Sequence, residues 1–163
     1  MHYYIDVLKK YAVFNGRAGR KEYWIFNIIN FIIIVFYTIA ADMIVSIIKS
    51  PFLFKVLSEI ENIYYLAILI PFLAVSTRRL HDTNHSGWWL IAFFTPLISR
   101  YLLWFIPNLG LFTLTIISLI SFVLFIIFLI FMLSSSQPNE NKYGPNPNPN
   151  KTNSNIPQVS SNN

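Results

Sequence analysis

Cysteine is absent from this 163-residue chain, and its absence excludes disulfide frameworks, thiol nucleophiles and cysteine-ligated metal centres in one step. Charge is scarce as well. Only 12% of residues are charged, about half the ~25% usual in soluble domains, so the medium this chain is built for is mostly lipid. Histidine is limited to His2, His81 and His85. No basic stripe interleaves with aromatics, so the net charge of +5 gives no reason to expect a nucleic-acid partner. Gathered near the ends of apolar runs, that charge suits membrane lipids, anionic headgroups in particular. Residues Met1 to Phe14 mix Asp6, Lys9 and Lys10 with apolar residues, and the first long apolar run exceeds a signal-peptide core, so no cleaved leader is predicted.

What is present is hydrocarbon: 55% of residues are hydrophobic and 17% aromatic. A bilayer core of ~30 Å needs about 20 apolar residues per helix, so the apolar length suffices for roughly four spans and no separate soluble domain. The expected fold is an all-α membrane protein. It is read as one four-helix domain over residues 1–147, with spans near 24–48, 63–77, 88–106 and 109–133, followed by a disordered Asn/Pro/Ser-rich tail over 148–163.

Tyr4, Val7, Leu8 and Tyr11 repeat at helical spacing, with Asp6, Lys9 and Lys10 off that face. This predicts a short amphipathic helix that lies in the interface or packs on the other helices. Asn15-Gly16 then breaks it. Between the first two spans, Lys49 to Glu61 reads as a loop with Pro51, Lys55, Glu59 and Glu61 resting on headgroups. The second span is short, and Pro71 removes one helical hydrogen bond, which leaves a kinked or partly re-entrant course open. Trp88 and Trp89 open the third span as interfacial anchors, and Pro107-Asn108 closes it.

Four spans put the amino-terminal segment, the loop around Arg78 and the tail on one side. That side holds Lys9, Lys10, Arg17, Arg20, Lys21, Arg78, Arg79, Lys142 and Lys151, against Lys49 and Lys55 on the other. The positive-inside rule then makes both termini cytoplasmic. A three-span alternative splits the basic residues across the membrane and loses this agreement.

Three polar stretches stand out: Phe14 to Trp24 with Gly16, Arg17, Ala18, Arg20, Lys21 and Glu22; Arg78-Arg79-Leu80-His81-Asp82-Thr83 with Ser86-Gly87-Trp88-Trp89; and Asn141-Lys142-Tyr143-Gly144-Pro145. In this order they closely resemble the bacterial inner-membrane family catalogued as domain of unknown function 805, over Tyr3 to about Pro147. The resemblance implies a four-helix, multi-pass protein of the bacterial inner (plasma) membrane. The family's function is unassigned, so no catalytic residue carries over. This chain departs from the pattern in having His85 where the family usually has a basic residue, in Arg100 within the third span, and in a longer fourth span and tail.

Two readings of the charged cluster Arg17, Arg20, Lys21, Glu22, Arg78, Arg79, His81 and Asp82 compete. In one, Glu22 and Asp82 pair with the arginines and lock the helix ends, because charge near hydrocarbon is costly unless paired. In the other, the basic surplus binds an anionic group, such as a lipid phosphate, through arginine's planar fork. His81 and His85, four apart, would share a helix face as metal ligands, but the turn-forming Asn84, Ser86 and Gly87 oppose that, and no nearby Glu or Cys completes a set. No metal, cofactor or catalytic residue is therefore assigned. Asp42 sits near the outer boundary of the first span and Arg100 deep in the third, which suggests an Asp42 to Arg100 pair as packing or as part of a polar path.

The sequence thus predicts a binding, scaffold or stress-linked membrane component without catalysis. A small transporter or channel subunit and a membrane enzyme using His81 and Asp82 are the rivals. Protein partners and a homo-oligomeric state stay open.

Overall fold

In the computed structural model of the chain, residues 2–105 and 111–147 are described. They form five α-helices: α1 (His2–Lys9), α2 (Arg20–Ile48), α3 (Pro51–Asp82), α4 (Leu90–Phe105) and α5 (Leu111–Leu133), with a 3-10 turn over Gly87–Trp89 before α4. No β-strand occurs among the described residues. Three helices are long and apolar enough to cross a bilayer, Arg20–Ile48, Pro51–Asp82 and Phe112–Leu133, and Gly87–Ser99 is a shorter apolar helical stretch. The expected disordered tail over 148–163 and the Pro107-Asn108 turn lie outside the described residues.

The chain falls into two compact units, Met1–Phe14 with Lys21–Val75, and Asn15–Arg20 with Ser76–Asn163 as far as it is described.

In the first unit the expected loop over Lys49 to Glu61 is corrected: α3 begins at Pro51 and runs 32 residues without interruption. The connection from α2 shrinks to Lys49 and Ser50, with Lys49 in the left-handed region at φ 53°. The local chemistry explains this. Ser50 Oγ accepts from the Leu53 amide at 3.4 Å, and Pro51 takes the first helical position, where its missing N–H costs nothing. Proline and charge, read as loop signals, are here the start of a helix.

Pro71 lies inside α3 and leaves the carbonyl four residues earlier, that of Ala67, without its helical donor. The Tyr11 hydroxyl donates to that carbonyl at 2.6 Å. A side chain from outside the helix thus restores the missing bond, and α3 continues as a helix rather than turning back. The same device recurs in the second unit. Pro96 inside α4 frees the Ala92 carbonyl, and the Thr95 hydroxyl fills it at 2.8 Å.

The stripe on α1 packs within the first unit. Val7 is fully buried, and Tyr4 stacks on Phe26 with ring centroids 5.4 Å apart. Asn30, buried on α2, gathers a neutral polar knot. Its Oδ1 accepts from Tyr64 at 2.7 Å and from Tyr4 at 3.3 Å, while its Nδ2 donates to the Phe26 carbonyl at 2.7 Å.

In the second unit α4 and α5 pack through aromatics, with Phe93 5.4 Å from the buried Phe128. Trp88 and Trp89 belong to the 3-10 turn, capped by Ser86, whose side chain accepts from the Trp88 amide. Gly87 is required by close approach: a Cβ there would lie 2.9 Å from Thr77 Cγ2.

Candidate functional site: a buried arginine–aspartate–arginine centre

The centre lies wholly within the second unit and is built where α3 ends and α5 ends. Arg78 to Asp82 form the last turn of α3, so this stretch, expected as surface loop, is helical up to Asp82. The chain turns only afterwards, with Asn84 in the left-handed region at φ 64°, a conformation asparagine tolerates. The helix therefore delivers Arg79 and Asp82, three residues apart, to one face.

Asp82 is fully buried and shared between two arginines. Arg17 Nε donates to Asp82 Oδ1 at 2.9 Å, and Arg79 Nη1 pairs with Oδ2. The side chains of Arg17 and Asp82 are 1% and 0% exposed, so this charge has left water and persists only because it is compensated at every side.

The compensation comes largely from backbone carbonyls. Arg17 Nη1 donates to Asn139 O at 2.8 Å and to Gly144 O at 3.3 Å. Its Nη2 donates to Gln137 O at 2.6 Å and, at a long 3.5 Å, to Asp82 O. With the Nε bond, all five N–H groups that a guanidinium offers are used. Arg79 turns to the end of α5: Nε donates to Met132 O at 3.2 Å and Nη2 to Ser134 O. Those are carbonyls that the helix end leaves without internal donors, and the cation also sits at the negative end of the helix dipole.

His81 anchors the segment after α5. Its Nδ1 lies 3.1 Å from the Gly16 carbonyl, which fixes the ring hydrogen on Nδ1 because a carbonyl only accepts. Its ring stacks on Tyr143 at 3.7 Å, nearly parallel. Its own carbonyl accepts from Asn141 Nδ2 at 2.9 Å. Gly16 reaches this position at φ 87° and Gly144 at φ 126°, both in the region that favours glycine. His85 is engaged elsewhere, stacked on Phe131 at 3.8 Å with Nδ1 3.1 Å from Thr83 Oγ1. The two histidines therefore face different partners, and among the described residues no group of three or more His, Cys, Asp or Glu could hold a metal ion.

The remaining sequence-predicted residues divide. Arg78 is 1% exposed, and its carbonyl accepts from the Ala18 amide at 2.9 Å. Arg20 is exposed, with Nη1 3.5 Å from Leu133 O. Lys21 is exposed and Glu22 half-buried in the first turn of α2, where a carboxylate suits the helix amino terminus; both belong to the first unit. Asp42 is exposed on α2, and the side chain of Arg100 is not among those described, so the suggested Asp42 to Arg100 pair lies outside the described residues. Sequence reasoning missed Gln137, Asn139, Met132 and Ser134. All four act through backbone carbonyls, for which no side-chain signal exists.

The arrangement brings all three polar stretches of the sequence to one place: Arg17 from the first, Arg79, His81 and Asp82 from the second, Asn141, Tyr143 and Gly144 from the third. The chain is 43% identical over 98 residues to inner membrane protein YhaI of Escherichia coli strain K12, covering 60% of this chain and 75% of that one. It is 39% identical over 100 residues to inner membrane protein YhaH of the same strain, covering 60% of this chain and 77% of that one. No solved structure matches. A profile of the family described as "Protein of unknown function (DUF805)" matches residues 11–145, which take in every residue of the centre, and the chain belongs to that family of membrane proteins.

Proposed function

We propose that this chain is a non-catalytic, four-crossing component of the bacterial inner membrane, with both termini cytoplasmic and the arginine–aspartate–arginine centre serving as a clamp that closes the fold. The observation that carries the reading is the complete use of Arg17's five donors. An anion-binding or catalytic cation needs a free donor direction, whereas a clamp needs none.

The course of the chain supports four crossings. The Ala18 amide bonds the Arg78 carbonyl at 2.9 Å, and the Gln137 amide bonds the Asp82 carbonyl at 3.1 Å. Both bonds suit helices that run out and back between the paired positions. This makes α4 the partner of α5, although its 16 residues span only roughly 24 Å. By contrast α3, with 32 residues, spans roughly 48 Å, long enough for its Arg78 to Asp82 end to lie beyond a ~30 Å hydrocarbon core.

With no cysteine in the chain, single thiols at Asn15, Lys55, Ser86 and Pro145 give the test of topology. The reading expects Asn15, Ser86 and Pro145 to react from the cytoplasmic side and Lys55 from the opposite one. Reaction of Ser86 and Asn15 from opposite sides defeats it. The role of the centre is tested by Asp82→Ala and His81→Ala: a clamp loses folded protein from the membrane, whereas an enzyme keeps protein and loses function. A second, weaker interaction is favoured by the exposed Arg20, Lys21 and Lys142, which attract anionic headgroups by about 1 kcal/mol each near the surface. Replacing all three by glutamine is expected to reduce binding of the purified protein to phosphatidylglycerol while leaving its stability unchanged.

A further inference from the structure

In the first unit the apolar faces of α2 and α3 do not close completely. They leave a slot of about 90 Å³, lined by Ile33, Ile34 and Tyr37 from α2 and by Ile60, Glu61 and Tyr64 from α3. Its wall is hydrocarbon. The polar ends of the lining residues are turned to other partners: the Tyr37 hydroxyl donates to the Leu57 carbonyl at 2.7 Å, the Tyr64 hydroxyl donates to Asn30 Oδ1, and Glu61 Oε1 accepts from the Tyr65 hydroxyl at 3.1 Å. A cavity of this kind excludes water and takes apolar matter.

Glu61 gives the slot a charged edge. Among the described residues Tyr65 is its one hydrogen-bond donor, and no lysine or arginine pairs with it. Lys55, its nearest basic neighbour along α3, is set about 120° round the helix. Depth makes this arrangement costly. Tyr37 stands roughly 20 Å along α2 from Trp24, so with Trp24 at one interface the slot lies inside a ~30 Å hydrocarbon core. A carboxylate there is expensive without a counter-charge, and the described residues supply only a phenol.

We infer that the slot and Glu61 together bind a lipophilic monocation, an alkylammonium whose chain enters the slot while its head lies against the carboxylate. The surroundings decide the class of cation. A hard divalent ion takes about six or more oxygens, and one carboxylate with one phenol falls short of that. An ammonium asks for a single negative partner. The ring of Tyr37 in the slot wall and that of Tyr65 at the carboxylate add negative π-faces, which favour a weakly hydrated cation. The chain and the charge of such a ligand thus each meet a matching surface.

The test uses the full chain in nanodiscs of phosphatidylcholine, which has no net charge to adsorb cations, with octyltrimethylammonium as the probe and empty discs as the background. Equilibrium dialysis is expected to show one saturable site per chain. On the unaltered chain, tetramethylammonium, a head without a chain, and the uncharged octyl analogue with a tert-butyl head are each expected to bind at least about tenfold more weakly. Glu61→Gln is expected to weaken octyltrimethylammonium by a similar factor, and Glu59→Gln, at an exposed position, to leave it unchanged. The inference is overturned if no saturable site is found, if the uncharged analogue binds equally well, or if Glu59→Gln and Glu61→Gln cause equal losses, which report surface charge alone. Comparing ligands on the unaltered chain covers a Glu61→Gln variant that fails to fold. Dialysis reaches both faces of a disc, so the outcome is independent of the proposed topology and of the arginine clamp.

Discussion

Each of the two compact units buries a polar knot, and the two are made from opposite chemistry. In the first unit, Asn30 takes two tyrosine hydroxyls and gives its amide to the carbonyl one turn back, all without net charge. In the second, Asp82 holds two arginines, and five of the carbonyls around them come from the end of α5 and the segment after it. The difference follows from where each knot sits on its helices. Within α2 nearly every backbone carbonyl is occupied by the helix, so a buried polar group there finds few free acceptors, and a neutral amide met by two tyrosine hydroxyls and one shared carbonyl suits it. At the end of α5 and in the chain after it, carbonyls lack internal donors. Arginine, with five N–H groups and no acceptor, is the side chain that can use many of them at once.

This comparison makes the charged knot the more fragile. Replacing Asp82 by asparagine leaves Arg17 and Arg79 buried without their counter-charge, and is expected to cost about 3–5 kcal/mol, read as loss of folded protein in detergent by thermal unfolding. If Asp82→Asn is tolerated within the error of that measurement, the charged knot is not holding the unit. Next in size is Gly87→Ala, expected to cost about 1–3 kcal/mol because its methyl group meets Thr77. In the Thr77→Ser background, which removes Cγ2, most of that loss should disappear; an undiminished loss would point to backbone strain instead.

For the neutral knot the expected effects are smaller. Asn30→Leu should cost about 0.6–1.7 kcal/mol, the range measured for polar contacts between membrane helices. A cost equal to that of Asp82→Asn would erase the contrast between the units. The smallest expected effect belongs to Tyr11→Phe, about 1 kcal/mol or less for one hydroxyl bond. It carries the sharpest signature, since Pro71→Ala restores the amide that bonds the Ala67 carbonyl. In that background Tyr11→Phe should be nearly neutral, and a full additive loss would show that the hydroxyl is not standing in for the missing donor.

Much of this molecule is legible along the chain. The apolar runs mark α2 and α5 to within a few residues, because length and composition alone decide whether a helix suits hydrocarbon. The three polar stretches contain every side chain of the centre. The start of α3 was not legible, since Pro51 and its charged neighbours read equally well as a loop until Ser50 is seen capping the helix. The choice of partners was not legible either. Four arginines compete in sequence for Asp82, and only the geometry selects Arg17 and Arg79.

Sequence by itself determined that this chain is helical, lipid-adapted and a member of its family, because apolar length, scarce charge and ordered motifs are properties of side chains read one after another. Tertiary structure alone decided that Tyr11 completes a helix at Pro71 and that the carbonyls of Gln137, Asn139 and Gly144 enclose Arg17. Every residue carries a backbone carbonyl, so its use as a partner leaves no mark in the amino-acid order and emerges only when distant segments meet.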